Sequence, residues 1–443
     1  MDGARAINPS IDENRAAPSF CRPSRGVARC GIWGKTMREN KETEMLLRLM
    51  RAALHQEFET PIPWETGCDA EKLNVLIRRQ SLVTMVYPVI ARQSGDGWES
   101  LREGMKDFFA RETHRNITQE YEIEWLLDEM EASGIDCLPM KGWVIRNDYP
   151  DPLMRSMTDF DVLIRDLNSR RMKDWMEARG YKPDHIEQPV QDCYWKKPYM
   201  YVELHRRMTT KSHMLPDEIR QVHQKEQTIW QSTARLDGKK HIYTLDDEDF
   251  YIHYLLHFYK HFITSGAGIR FLADDYVFFK AKKDALNKNY LNEQLEKLRL
   301  SGFAEKIEQT AKICFEGNQP LDDGARMIVD YLTSTGIHGS QRTSEMLAGM
   351  VRGGGSFKQN KVLAFWKHCF PSIWYMEEQY PLLERYPYLL PFYWGKRLGK
   401  TLVKERFKIV GSGLFAKGPD QEVRKEIENL YRAAGILEEE DIG

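Results

Sequence analysis

Apolar residues recur at helical spacing soon after Met37, where Leu46, Leu47, Met50, Ala53 and Leu54 mark one face of an amphipathic helix. Helical periodicity continues to about residue 134. It runs through a second amphipathic stretch, "EKLNVLIRRQSLVTMVYPVIAR", and a longer one, "MKDFFARETHRNITQEYEIEWLLDEMEASGI", which Gly134 is placed to stop. The period then changes. Cys137 to Met140 predicts a short buried strand and Asp159 to Ile164 a second, while "YWKKPYMYVELHRRM" is strand material closing on an alternating run. Between them, "NSRRMKDWMEARGY" predicts a helix ending at Gly180. Helices crossing between strands of a small mixed sheet make an α+β unit of about a hundred residues. Helical pattern resumes at Thr244, where Asp246, Asp247 and Glu248 form an acidic helix start, and it continues to about 337.

This pattern divides the chain into a helical region at 37–134, a sheet-bearing core at 135–235, a helical domain at 236–345 and a helical, aromatic and basic region at 346–443. Residues 1–36, rich in Pro, Gly, Arg, Ala and Ser without periodicity, read as a disordered extension, with Met37 the expected natural start. A transit peptide is the rival reading, against which stand Asp2, Asp12 and Glu13. "RGGGSF" at 352–357 reads as a flexible connection, without the strand, lysine and helix of a phosphate loop. In "YPYLLPFYWGKRLGKTLVKERFKIV" the expectation is core-packing aromatics with snorkelling basic residues, rather than a membrane-surface or single-strand-binding face.

Composition narrows the classes. With 443 residues, 42% of them hydrophobic, the chain can fill two or three packed units. Its 64 basic and 66 acidic residues nearly cancel, which gives no global pull toward nucleic acid or an anionic membrane and argues against a long nucleic-acid acceptor. Seven scattered cysteines without metal-like pairing read as a reduced, cytoplasmic interior. No apolar run reaches the length of about 20 residues that spans a bilayer.

The chemistry concentrates in "LPMKGWVIRNDYPDPLMRSMTDFDVLI". On a strand, Asp159 and Asp161 point to one face and Phe160 and Val162 to the other. Two like charges side by side want a cation, and paired carboxylates suit Mg²⁺ (or Mn²⁺), a hard ion that bridges carboxylates to substrate phosphates. Two-ion phosphoryl chemistry needs a third carboxylate. "YVELHRR" offers Glu203, on the face opposite Val202 and Leu204, as a metal ligand and general base.

A strand ending in Lys141-Gly142, then Tyr149, Asp151-Pro152, Arg155, the Asp159 and Asp161 pair, Gly180-Tyr181 and Glu203-Leu204-His205 together resemble the uncharacterised nucleotidyltransferase family of the DNA polymerase beta superfamily. The resemblance continues into "HYLLHFYKHF" and "GAGIRFLADD" and covers most of the chain from about 45 to 280. It implies a nucleotidyltransferase fold, Mg²⁺ on Asp159, Asp161 and Glu203, and an NTP as donor. One departure stands out: Lys141-Gly142 replaces the superfamily's usual Gly-Ser turn, and the gap to the Asp pair is longer. Gly142 would let backbone N–H groups approach a phosphate, with Lys141 supplying charge and Arg155 clamping a further oxygen. The bland alternative pairs Lys141 and Arg155 with Asp148 or Asp151. His253, His257 and His261 line one helical stripe without a zinc motif. Because the resemblance includes this stretch, it implies that His257, Lys260 or His261 approaches the site from the helical domain, with Arg270 a similar candidate held by Asp274, and that His205 of the Glu-Leu-His run joins the nucleotide-binding residues.

The reading is a Mg²⁺-dependent transfer of NMP to a hydroxyl or amine of a small-molecule or peptide acceptor. The alternatives are a non-catalytic nucleotide- or partner-binding module on the same fold, or a phosphotransferase using the same metal site.

Overall fold

The computed structural model describes residues 40–208, 229–317, 319–335, 369–380, 382–404 and 421–437. The extension at 1–36 and the "RGGGSF" connection lie outside the described residues, and so does the end of the aromatic, basic stretch. The chain opens on helices with conventional starts. Asn40 caps α1 (Lys41–Leu54) by accepting from the Thr43 N–H, and Asp69 caps α2 (Ala70–Arg79) by accepting from Glu71 and Lys72. The second amphipathic stretch proves to be two helices. It breaks at Ser81, where φ is +52°, before α3 (Val83–Ile90). The 37-residue α4 (Asp96–Ala132) begins earlier than the sequence suggested and ends at Gly134, whose φ of +69° is left-handed.

A mixed five-stranded sheet follows, in the order β1-β2-β5-β4-β3. Its strands are β1 (Cys137–Pro139), β2 (Phe160–Ile164), β3 (Lys182–His185), β4 (Gln191–Lys196) and β5 (Met200–His205). β2 and β5 are parallel, and every other neighbouring pair is antiparallel. The parallel pair needs a long crossover, which contains α6 (Ser169–Glu177), while α5 (Gly142–Ile145) is a single turn before β2. Alternation then sorts the side chains. Phe160, Val162, Val202 and Leu204 bury against α4 and α6, where Leu126, Met130, Met172 and Met176 meet them. Asp161, Glu203 and His205 are left for the other face. The result is the α+β architecture expected from the sequence, with an additional edge strand, β3, that its exposed polar residues had hidden.

After a small ladder of β6 (Ala234–Arg235) and β7 (Tyr243–Thr244), the chain is helical: α7 (Asp247–Thr264), α8 (Arg270–Lys282), α9 (Lys288–Lys297), α10 (Ser301–Phe315) and α11 (Asp323–Thr335). Asp246 is the N-cap of α7, and acidic residues fill its first turn. Helices from the two ends of the chain meet directly. Arg51 of α1 donates to the Cys314 carbonyl at 2.9 Å, and Gln80 joins the Leu332 carbonyl to the Ile269 N–H, each at 3.0 Å. Farther on, α12 (Ile373–Gln379), α13 (Leu382–Arg385) and α14 (Leu390–Lys404) share a cluster around Met376, Leu383 and Tyr393, and α15 (Gln421–Ala433) packs on α11. The aromatics of α14 divide: Tyr393 is buried with Lys396 over its ring, whereas Phe392 is exposed. Among the described residues, no helix is long and apolar enough to cross a membrane.

Asp275 on α8 is fully buried, accepting from the Tyr251 hydroxyl at 2.8 Å, with its second oxygen unpartnered. Burial pushes its carboxyl from 3.8 up to about 8, against the Tyr251 hydrogen bond. Between these values the folded state keeps a proton that the unfolded chain gives up, so stability falls as pH rises through that window. Asp275→Asn is expected to remove this slope. Its melting temperature relative to the unsubstituted protein rises from pH 5 to pH 8 in thermal unfolding, whereas a constant difference would show that Asp275 does not titrate there.

Candidate active site

The register of β2 against β5 places Asp161 directly beside Glu203. Both side chains leave the apolar face, and Asp161 is 5% exposed, so the sheet brings two carboxylates together out of bulk water. Two cations answer them. Lys141 Nζ donates to Asp161 Oδ1, and His205 Nε2 meets the same oxygen at 2.8 Å and Glu203 Oε2 at 3.4 Å. Burial alone would raise Asp161, but Lys141 and His205 overturn it and hold the carboxyl well below its usual range. For Lys141 and His205, burial opposes the charge and the carboxylates prevail, so both are raised above their ordinary values.

Donor atoms of Asp161, Glu203 and His205 lie within 4.8 Å of one another, which makes them the group able to hold a metal ion among the described residues. The sequence had put Asp159 in that group and His205 outside it. Asp159 lies one residue before β2, which begins at Phe160. It stays within electrostatic reach: burial first, then Asp161 and Glu203, raise its carboxyl. Two carboxylate oxygens suit a hard divalent ion, and the buried imidazole nitrogen is a donor that Mn²⁺ or Zn²⁺ takes more readily than Mg²⁺ does. The Nδ1 of His205 is buried with no partner among the described residues.

The Lys141-Gly142 turn has a definite physical cause. Lys141 adopts φ +49° and ψ −119°, a conformation natural to glycine, and its carbonyl accepts from the Val144 and Ile145 N–H groups to start α5. A Cβ on Gly142 would meet Arg155 Nη1 at 2.8 Å. The glycine therefore makes room for Arg155, where the sequence suggested room for a phosphate. Arg155 is likewise not positioned as a phosphate clamp. Its Nε and Nη2 hold both oxygens of Asp274 at 3.1 and 2.9 Å, and Nη1 donates to the Ser156 carbonyl. Tyr149 donates to Asp274 at 2.6 Å. Asp274 thus holds Arg155 and Tyr149 rather than Arg270, and neither Asp148 nor Asp151 is the partner the bland reading supplied. Arg270 donates to the Ser156 carbonyl at 2.8 Å and acts electrostatically on Asp159.

Beside this cluster a cavity of about 820 Å³, counted to its open mouth, lies between the Lys141 turn and α7. Lys141, His257 and Lys260 line it with Met140, Phe250 and Tyr254. The helical stripe thus reaches the site through His257 and Lys260, whereas His261 turns to Ser265 at 2.9 Å. Burial, then Lys141, keep His257 well below its usual value and therefore neutral. Lys282 and Asp247 also line the cavity, paired at 2.6 Å. The sequence reading missed them, and the acidic first turn of α7 was the signal that something basic should face it.

Arg155 and Asp274 are both nearly excluded from solvent, so removing one leaves the other buried and uncompensated. Arg155→Met is expected to cost roughly 3–5 kcal/mol of stability in urea unfolding. An unchanged midpoint would show that the guanidinium is not committed to Asp274.

No curated protein and no solved structure matches this sequence significantly. A family model described as "Uncharacterised nucleotidyltransferase" matches residues 66–316, more than half of the chain, and takes in the sheet, the carboxylates, the Lys141 turn, α7 and α8. The chain belongs to that uncharacterised nucleotidyltransferase family.

Proposed function

We propose that the protein is a Mg²⁺-dependent enzyme that transfers NMP from an NTP to a hydroxyl or amine of a small-molecule or peptide acceptor. The observation that carries this is the in-register pairing of Asp161 with Glu203 on a buried sheet face, inside a chain of this family. A bound divalent ion would neutralise the triphosphate and steady the leaving group. Asp161 and Glu203 hold it, with His205 beside them and Asp159 adding its carboxylate from the start of β2. Glu203 also takes the proton from the acceptor. The cavity against α7 receives the nucleotide: Phe250 and Tyr254 offer aromatic surface, and Lys141 and Lys260 offer charge to phosphate oxygens, while Arg270 acts on the carboxylate side, beside Asp159. The helical regions at 37–134 and 236–345 wall the 135–235 core and select the acceptor.

One observation favours the second reading, a binding module that does no chemistry: Asp161 is already satisfied by Lys141 and His205. The two readings separate in one experiment. Purified protein is incubated with Mg²⁺, each α-labelled NTP and a cell extract, and label is followed into product. Metal-dependent transfer that falls at least ~100-fold in Asp161→Asn and Glu203→Gln is the expected result. Nucleotide binding without transfer would establish the module, and transfer of label from a γ-labelled NTP, with the α-label left in NDP, would make the protein a phosphotransferase.

A further inference from the structure

Lys141 stands in two places at once. Its ammonium bonds Asp161 inside the carboxylate cluster, while its side chain forms part of the cavity wall beside His257 and Lys260. The backbone beneath it is strained, since a left-handed φ with ψ of −119° suits glycine and not a residue with a Cβ. Such strain persists where the surroundings hold the residue in place. Here the hold comes from the Val144 and Ile145 N–H groups on the Lys141 carbonyl and from Arg155 set against Gly142, so the turn does not depend on where the ammonium points.

An ion on Asp161 and the Lys141 ammonium repel each other, and both address the same carboxylate. His205 Nε2 already crowds Oδ1. One cation must give way. The lysine is on a flexible four-carbon arm, and the space next to it is the cavity rather than packed protein. Moving there alone would set the ammonium among Lys260 and Lys282, where the lining carboxylate, Asp247, is already paired with Lys282, so the move is favourable when an anion occupies the cavity.

Resting on the nucleotidyltransferase reading, we propose that Lys141 is an exchangeable counter-ion: it neutralises Asp161 in the metal-free protein and passes to the phosphates of a nucleotide when a divalent ion takes the carboxylate. Metal and nucleotide then bind cooperatively, because each alone must break the Lys141–Asp161 pair and together they share that cost. The lysine in this turn thereby acquires a function, a built-in charge that weakens metal binding until nucleotide joins it.

The test uses the full chain and does not depend on turnover. Mn²⁺ binding without nucleotide, counted by electron paramagnetic resonance, is compared for the unsubstituted protein, Lys141→Met and Lys141→Gln, with circular dichroism as the folding control. In parallel, acetylation of Lys141 in the unsubstituted protein by an N-hydroxysuccinimide ester is followed by mass spectrometry. Mn²⁺ affinity at least 10-fold tighter in the lysine variants is expected, with Lys141 acetylation rising on Mg²⁺ and falling again when ATP, GTP, CTP or UTP is added. Equal Mn²⁺ affinity in folded variants overturns the exchange while leaving the nucleotidyltransferase reading intact. Acetylation indifferent to Mg²⁺ overturns it even if neither variant folds. Absence of Mn²⁺ binding in every protein removes the metal reading, and the exchange with it.

Discussion

Everything at the site follows from one pairing, the parallel register that sets Asp161 against Glu203. Two adjacent strands with apolar residues on one face and carboxylates on the other bury like charges side by side, which costs free energy unless positive charge is supplied. The surroundings supply it from two directions. His205 comes from β5 itself, two positions along and therefore on the same face, and Lys141 comes from the turn after β1. The opposite face of the sheet makes this possible, because Phe160, Val162, Val202 and Leu204 anchor the strands against α4 and α6. A slip of one residue in either strand would exchange the carboxylates with the core and abolish both.

A second buried ion pair fixes what the first requires. Lys141 can reach Asp161 only if the turn beneath it is held. That turn is braced through Gly142 by Arg155, which is locked to Asp274 on α8. Tyr149 converges on the same carboxylate, and Arg270 ties the Ser156 carbonyl from the same helix. The long excursion between β1 and β2 is therefore pinned to the helical layer rather than to the sheet. Because Gln80 joins α2 to the start of α8 and to the end of α11, the helices preceding the sheet also restrain the layer that restrains the turn.

Local pattern carried the fold and the identity of the charged strand residues. Period-two alternation put Asp161, Glu203 and His205 on one face, and helical spacing put His257 and Lys260 on the stripe that reaches the cavity. Partnerships were not legible. Asp274 lies 119 residues from Arg155, and nothing in the spacing distinguishes it from Asp148 or Asp151, which are nearer in sequence but serve Lys282 and the Leu153 N–H. Asp159 stands one residue before β2, and electrostatics rather than strand register ties it to Asp161 and Glu203. The break at Ser81 escaped notice because apolar residues keep their helical phase across it, while the backbone changes hand at one position.

The Lys141-Gly142 turn joins these observations. Its first position has a backbone conformation natural to glycine and carries lysine. The second position carries glycine, where a side chain would strike Arg155. The two positions depend on each other. A side chain at 142 would push Arg155 from Asp274 and loosen the turn. A glycine at 141 would relieve the backbone but leave Asp161 with His205 as its remaining cation in contact. The turn thus presents backbone and charge together, at the point where the carboxylate cluster and the cavity meet.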